Sequence, residues 1–487
     1  MYFRNTTVFI GLLFNFCVPH SFKVVNEKSN PWPIFNNDSY NYLLGLFVQH
    51  RIPLFRHSHT IAEPAIFRTA ILLSQAYNIT ANGKLFAYLV VDTSGRDVIE
   101  TLDYTCTAIT ENQILGIVGP EYSNEAKIVS KFANRVGLPV VGYSTTDPEL
   151  SNRYAYQTFY RFPPSDIITA QALFQLYMKY KWNSTNIIYQ SDDYGENGLK
   201  AMTEVFNDDI KITCKIKYDL STNRIDDFER QLKESSSRIV VVWANANVTR
   251  KIIDLALEIG DIMSPSFLWI LIAQNSTLQI TENDEHVDQL TGVLMLRQAM
   301  PNVFNIPTNT TLMHDVLAIW KTYHSESYPT IENPLDIYAL YAFDAAWFLI
   351  LAIEKLCEKH PQTCLSPYNH TDSCFASEFI LRDELSEIMQ TINFLGVSGY
   401  VGFQTNKTDR IDSTTAQYVI DNLQPSPIET SALLVIEVLK LNDTTINKHR
   451  KNQSHWMETG PMIRWPNGLP ESPRGYASLK GHCTTFE

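Results

Sequence analysis

GIVGPEYSNEA (Gly116 to Ala126), GLPVVGYSTTDPELSNR (Gly137 to Arg153) and TFYRFPPSD (Thr158 to Asp166) carry most of the information in this chain. Two short apolar runs each end in a small or hydroxyl-rich turn, and the first turn then opens a helix. Such helix starts offer unpaired backbone N–H groups with Ser and Thr hydroxyls beside them, a means of holding a small anion. A binding cleft is the first expectation.

Outward from this stretch, short Val-, Ile- and Leu-rich runs alternate with helical patterns. Leu85–Val91, Ile114–Val118, Leu138–Val141, Asn186–Gln190, Ile239–Trp243, Phe267–Ile272 and Gly292–Leu296 lack polar alternation, which suits parallel strands covered on both faces. Val129, Phe132, Ala133 and Val136 follow helical spacing, with Ser123 or Asn124 placed to cap that helix. Ser165 precedes a second helix expected over Asp166–Tyr180, with Asp166 complementing its dipole. This βαβα order predicts an α/β, doubly wound fold. No sharp linker interrupts Ser21–Asp443, so lobes are expected to interleave. From Asn447 the text turns polar, and Pro461–Pro473 reads as a connector with one apolar hook, Met462 to Trp465.

The ends and the cysteines point to export. Arg4 followed by Val8–Phe14 reads as a secretory signal over residues 1–20. Asn37, Asn78, Asn183, Asn247, Asn275, Asn309, Asn369, Asn406, Asn442 and Asn452 each begin an N-x-S/T triplet, as in a glycosylated ectodomain. Beyond the signal, Cys106, Cys214, Cys357, Cys364, Cys374 and Cys483 form an even set, which suggests disulfides. Cys364 and Cys374 bracket a polar loop and are one local pairing among many connectivities. Cys357, Cys364 and Cys374 lack His partners at zinc-ligand spacing, so no metal and no cofactor is expected.

The 487 residues, 45% hydrophobic, are ample for two cores. A net charge of −13 argues against nucleic acid, which needs a basic face. The longest apolar run, Ile337–Leu356, contains Asp344 and Glu354 and reads as a buried helix, not a membrane span. Membrane attachment is expected only through a C-terminal transmembrane region beyond Glu487.

GYSTTDPELSNR, TFYRFPPSD, DDYGENG (Asp192 to Gly198), ALYAFDAAW (Ala339 to Trp347) and FLGVSGYVGF (Phe394 to Phe403) together carry a likeness. Over roughly Phe47–Asp443 the chain resembles the bilobed extracellular ligand-binding region of class C G-protein-coupled receptors, such as the metabotropic glutamate and gamma-aminobutyric-acid type B receptors. Natriuretic-peptide receptors and bacterial branched-amino-acid-binding proteins share that architecture. The resemblance implies a two-lobed, type I periplasmic-binding-protein-like (Venus flytrap) fold, each lobe a mostly parallel sheet flanked by helices. Three crossings are implied near Phe159–Phe162, Leu294–Arg297 and Gln404–Ile411. The division expected is 21–161 with 298–404 for the first lobe, 162–297 with 405–445 for the second, and 446–487 as connector. A homo- or heterodimer through the first lobe is also implied.

Carried over by residue, the resemblance implies that Ser123 receives a ligand α-carboxylate and that Thr146, with Ser144 beside it, and Asp166 face an α-amino group. It implies that Tyr194 covers the ligand from the second lobe and that Arg68 takes a distal acidic group. Their chemistry suits a zwitterion: donors at a helix start, an acceptor and an opposing charge for the ammonium, an aromatic cover, and a guanidinium for a second carboxylate. Each has an ordinary alternative: Ser123 as a helix cap, Asp166 as a dipole residue, Tyr194 as a turn aromatic, Arg68 as a solvated helix arginine. The chain also departs from the pattern. Ala273-Gln274-Asn275 stand where many amino-acid-binding relatives have an Asp, Glu378 where glutamate receptors have a Lys, and Glu121 where Gly is common. Those departures speak against glutamate itself.

Enzyme motifs are missing. The GIVGPEYS turn lacks the glycines of a dinucleotide loop, Gly396-Val397-Ser398-Gly399-Tyr400 is no nucleophile elbow, and HExxH is absent. His57 and His59 form a lone H-x-H pair, and the adjacent Asp192 and Asp193 point different ways. The expected function is the extracellular ligand-binding domain of a cell-surface receptor, class C-like, closing on a small amino-acid-like ligand. A secreted, soluble solute-binding or decoy protein of the same fold is the alternative, and an α/β enzyme a remote one.

Overall fold

A computed structural model describes residues 33–35, 40–48, 62–93, 97–272, 287–301, 307–323, 328–329, 335–365, 374–376, 379, 381–405, 407–411, 416–426, 433–441 and 456–466. The signal segment, Cys17, Cys483, His57, His59, Ala273 to Asn275 and Glu378 lie outside them, as do the triplets at Asn37, Asn275, Asn369, Asn406, Asn442 and Asn452. Of the described triplets, Asn78, Asn183 and Asn247 are exposed, while Asn309 is half-buried and accepts a hydrogen bond from Leu312 N–H at 3.0 Å.

The first half opens with β1 (Tyr40–Phe47), α1 (Ala62–Ala76), β2 (Thr80–Ala81), β3 (Lys84–Asp92) and α2 (Val98–Glu111). It continues through β4 (Ile114–Val118), α3 (Ser123–Val136), β5 (Val140–Gly142) and β6 (Phe159–Arg161). These strands form one sheet in the order β2-β3-β1-β4-β5-β6, parallel except for the β2–β3 hairpin. Asn82 and Gly83 turn that hairpin with φ of 50° and 72°, the left-handed pair that Asn-Gly adopts at least cost.

Next come α4 (Asp166–Tyr180), β7 (Ser184–Gln190), α5 (Asp193–Phe206), β8 (Lys211–Tyr218), α6 (Phe228–Glu234), β9 (Ile239–Trp243), α7 (Ala246–Ile259), β10 (Leu268–Ile272), α8 (Val287–Leu290) and β11 (Leu294–Gln298). The chain then gives α9 (Thr310–Tyr323), α10 (Ile337–Lys359), α11 (Arg382–Thr391), β12 (Asn393–Leu395) and β13 (Tyr400–Gly402). It ends in β14 (Tyr418–Pro425), β15 (Leu433–Leu441) and β16 (Trp456–Glu458). The second sheet runs β16-β15-β14-β11-β10-β9-β7-β8, with β7 to β11 parallel and β14 to β16 antiparallel.

Two sheets flanked by helices make the two-lobed, periplasmic-binding-protein-like α/β fold. All five residues of β4 and all five of β9 are buried, because helices cover both faces of each sheet. The chain passes between sheets after β6, after β11, and between β13 and β14. The first and third passages zip together: Arg161 N–H donates to Thr408 O at 2.7 Å, and Arg410 N–H donates to Arg161 O at 3.2 Å. The fully buried Arg161 guanidinium then holds Asp409, 2.7 Å from its Nε, and the Asp147 carbonyl at 2.6 Å.

α10 is long and apolar enough to cross a membrane, yet it lies in the core of the first lobe with most of its length buried. Its Asp344 accepts from Val397 and Ser398 N–H at 3.0 and 2.8 Å, which joins ALYAFDAAW to FLGVSGYVGF.

Three local expectations are corrected. Tyr122, not Ser123 or Asn124, is the N-cap of α3 and makes no side-chain cap bond. Cys364 pairs with Cys357 at the end of α10, and Cys374 with Cys106 in α2, so the Cys364–Cys374 loop is not closed. Cys214 is disulfide-bonded as well. Residues 456–466, within the stretch expected as a connector, pack on the second lobe. There β16 pairs with β15, and Ile463 and Trp465 are buried, Trp465 edge-on to Tyr180 at 5.0 Å.

Candidate functional site

α3 follows β4 in the first lobe and α5 follows β7 in the second, so each starts at the carboxyl end of a parallel strand. Lys127 of α3 lies 3.4 Å from Asp193 of α5, and Asn197 donates to Asp147 at 2.7 Å. The strand ends of the two sheets therefore face one another across a closed gap, the place where open α/β sheets bind ligands. Lys127 is paired with Asp147 within its own lobe and lies 3.3 Å from Glu149.

The first wall is built on the turn after β4. Gly119 has φ of 105°, and a Cβ there would stand 2.3 Å from Leu46 O, so only glycine lets the turn lie against β1. Ser123 follows, buried, its Oγ accepting from Asp147 N–H at 3.4 Å. Ser144 donates to Glu121 O at 2.6 Å. Both hydroxyls thus already serve the loop between β5 and β6. Thr146 O accepts from Asp166 N–H at 2.9 Å, which sets the start of α4 against that loop. Asp166 is 3% exposed and its Oδ2 has no hydrogen-bond partner. Burial lifts its carboxyl to about 8; the Thr146 hydroxyl pulls it down, the Asp147 charge pushes it up, and Arg161 pulls it down.

The second wall carries Tyr194, half-buried in the first turn of α5 and packed on the second core. Tyr338, in the first turn of α10, connects it to the first wall. Burial raises the Tyr338 phenol, and the charges of Tyr194, Tyr418, Tyr341 and Asp166 add to the rise. Tyr418 shares a 2.8 Å hydrogen bond with Thr169, and Tyr341 donates to Gln298 Oε1 at 3.1 Å. Asp166 and Tyr194 therefore meet through Tyr338, while Ser123 and Thr146 are linked through Asp147 and the Asp166 amide. Arg68 lies in the middle of α1, its guanidinium 5.8 Å from the centroid of the Tyr88 ring on β3. Burial lowers its pKa. Tyr338, Tyr341 and Tyr418 escaped the reading of the sequence, although Asp336–Ala339, an acid and an aromatic opening an apolar helix, marks the place.

A second feature occupies the same edge of the first sheet. Glu63 opens α1, Glu121 follows β4, Asp336 caps α10 and Tyr143 follows β5. Glu121 accepts from Val48 N–H at 3.3 Å, and Ala339 N–H donates to Asp336 at 2.7 Å. Burial, then Asp336 and Glu121, holds the Glu63 carboxyl well above the usual range. Burial above all lifts Glu121 to about 7. The Tyr143 hydroxyl neighbours both acids, yet it and Glu63 Oε2 are buried without an aligned hydrogen-bond partner. Among the described residues no three His, Cys, Asp or Glu side chains are arranged to hold a metal ion.

Residues 73–426 match the model of a family described as the receptor family ligand binding region. Among similar curated proteins is glutamate receptor 3.2 of Arabidopsis thaliana, 24% identical over 394 residues, 75% of this chain and 40% of the relative. Glutamate receptor 3.1 of Oryza sativa subsp. japonica is 25% identical over 387 residues, 75% of this chain and 39% of the relative. Glutamate receptor 3.7 of Arabidopsis thaliana is 22% identical over 382 residues, 76% and 39%. The chain spans about two-fifths of the length of these relatives. They are receptors, not enzymes. The match establishes the wider family and not its class C branch.

Proposed function

The chain belongs to the receptor ligand-binding-region family, and from that premise we propose that it is the extracellular part of a cell-surface receptor that closes on a small amino-acid-like ligand. The observation that carries this reading is Asp166. A buried acid with an unpartnered oxygen, set between lobes beside Tyr338 and Tyr194, suits a ligand ammonium under an aromatic cover. Ser123 and Thr146 sit on the first lobe and anchor ligand in the open state, and Tyr194 adds its contact on closure. Only contacts that differ between open and closed forms shift that equilibrium, so Tyr194 is the residue that converts binding into motion. The transducer is the finer question: a class C-like, G-protein-coupled arrangement is one form of the proposal, and dimerisation through the first lobe accompanies it.

Calorimetry and small-angle scattering with a panel of amino acids test the reading. Thr146→Ala is expected to weaken capture by about 1.5–3 kcal/mol, the usual worth of a hydrogen bond to a charged group. Tyr194→Ala is expected to spare much of the capture and abolish most ligand-induced compaction. Full compaction in the Tyr194 variant, or no binding of any amino acid to the parent, would overturn the proposal.

A further inference from the structure

The acids on the carboxyl edge of the first sheet have no role in the reading so far. Four separate elements bring Glu63, Glu121, Asp336 and Tyr143 to one place. Glu63 and Glu121 are half-buried as residues, although Glu63 Oε2 itself is buried. Among the described residues, the charges that act most on Glu63 are Asp336 and Glu121, and those on Glu121 are Glu125 and Asp336, with the Tyr143 hydroxyl beside it. A fold does not gather buried like charges to stabilise itself, since each must be held neutral or repel its neighbours. The Tyr143 hydroxyl, 1% exposed and beside the two acids, has no aligned hydrogen-bond partner, nor has Glu63 Oε2, a second sign of a missing occupant.

We propose that the interlobe site takes a ligand whose second polar group is an organic cation, a primary ammonium or guanidinium held by Glu63 and Glu121. This rests on the amino-acid reading of the cleft and deepens it: the ligand class becomes the basic amino acids. A cation gains from ionising Glu63 and Glu121, whereas the second carboxylate of a dicarboxylate such as glutamate would oppose that ionisation, so the wall favours the cation. A metal cation is disfavoured because no three described acids, histidines or cysteines are arranged as ligands to one. Proton linkage follows. Both carboxyls are held up by burial, and a cation favours their charged forms, so binding releases protons.

The test is calorimetry on the whole chain with L-lysine, L-leucine, L-glutamate and the diamine cadaverine, repeated in buffers of different ionisation enthalpy. L-Lysine is expected to bind tightest, with proton release. Glu63→Gln and Glu121→Gln, which keep shape and lose charge, are expected to weaken lysine tenfold or more and leave leucine unchanged. Their melting temperatures, equal to or above the parent's, verify that they fold. Glutamate or leucine binding more tightly than lysine, or lysine binding unchanged in both variants, overturns this inference and leaves the amino-acid reading standing. Cadaverine binding that is lost in the variants, with no amino acid bound, keeps the cation site and removes that reading. No binding by any of the four probes removes both.

Discussion

Asp166 sits in the gap with its carboxyl at about 8, above the roughly 3.9 of an unfolded aspartate. A raised carboxyl leaves stability intact below the unfolded value and drains it as pH climbs through the folded one. Asp166→Asn removes that drain, so its melting temperature is expected to exceed the parent's by a margin that grows from pH 4 and levels off above pH 8. Thermal unfolding at pH 5 and pH 9 checks this, and an equal difference at both would contradict it. Glu121, near 7, carries the same sign and steepens the decline toward alkaline pH. Legibility at this scale followed sequence locality. Ser123, Thr146 and Asp166 stand in one continuous stretch and could be read as a group. Glu63 could not, because an acid in the first turn of a helix ordinarily means dipole compensation. Only the return of α10 from more than two hundred residues away supplies the acid beside it.

Between elements, α5 bonds the first lobe twice, through Asp193 to Lys127 of α3 and through Asn197 to Asp147. Asn197 donates to Asp147, an acid that also caps the short turn at Pro148–Ser151 and pairs with Lys127. Asn197→Ala removes this interlobe bond and spares both the Lys127–Asp193 contact and the pairing within the first lobe. A loss of about 1.5–3 kcal/mol for a hydrogen bond to a charged group would lower the closed-to-open ratio tenfold or more. Scattering of the ligand-free variant is expected to give a larger radius of gyration than the parent, and an identical radius would sink the idea. The strands divide into readable and hidden for a physical reason. β4 and β9 are apolar throughout because both faces are covered, and the sequence announces them. β8 lies at an edge and alternates buried with exposed residues. β14 carries Asp421 and Asn422, which read as loop but are spent on Arg297 and on the Arg464 backbone. The disulfides were hidden too, since Cys106 and Cys374 are brought together only by packing α2 against a segment 268 residues later.

As a whole the molecule is two lobes joined by three passages, and the interleaving followed from the absence of a linker between Ser21 and Asp443. The placement of the last described residues did not follow, because Pro and polar residues around Trp465 conceal a side chain that is 3% exposed. Trp465 packs on Tyr180 and Trp182, so Trp465→Ala is expected to cost about 3–5 kcal/mol, the usual range for emptying an aromatic site. Urea unfolding followed by circular dichroism would register the loss, and an unchanged midpoint would mean that the segment detaches freely. The same anchor defines a load path. Gly292 presses against Pro466, where a Cβ would come within 2.5 Å, and Ser264 donates to the Pro466 carbonyl at 2.9 Å. Tension applied at Pro466 is therefore borne first by the second lobe. It reaches the first lobe only through the three passages, where Arg161 holds Asp409, and through the contacts across the gap.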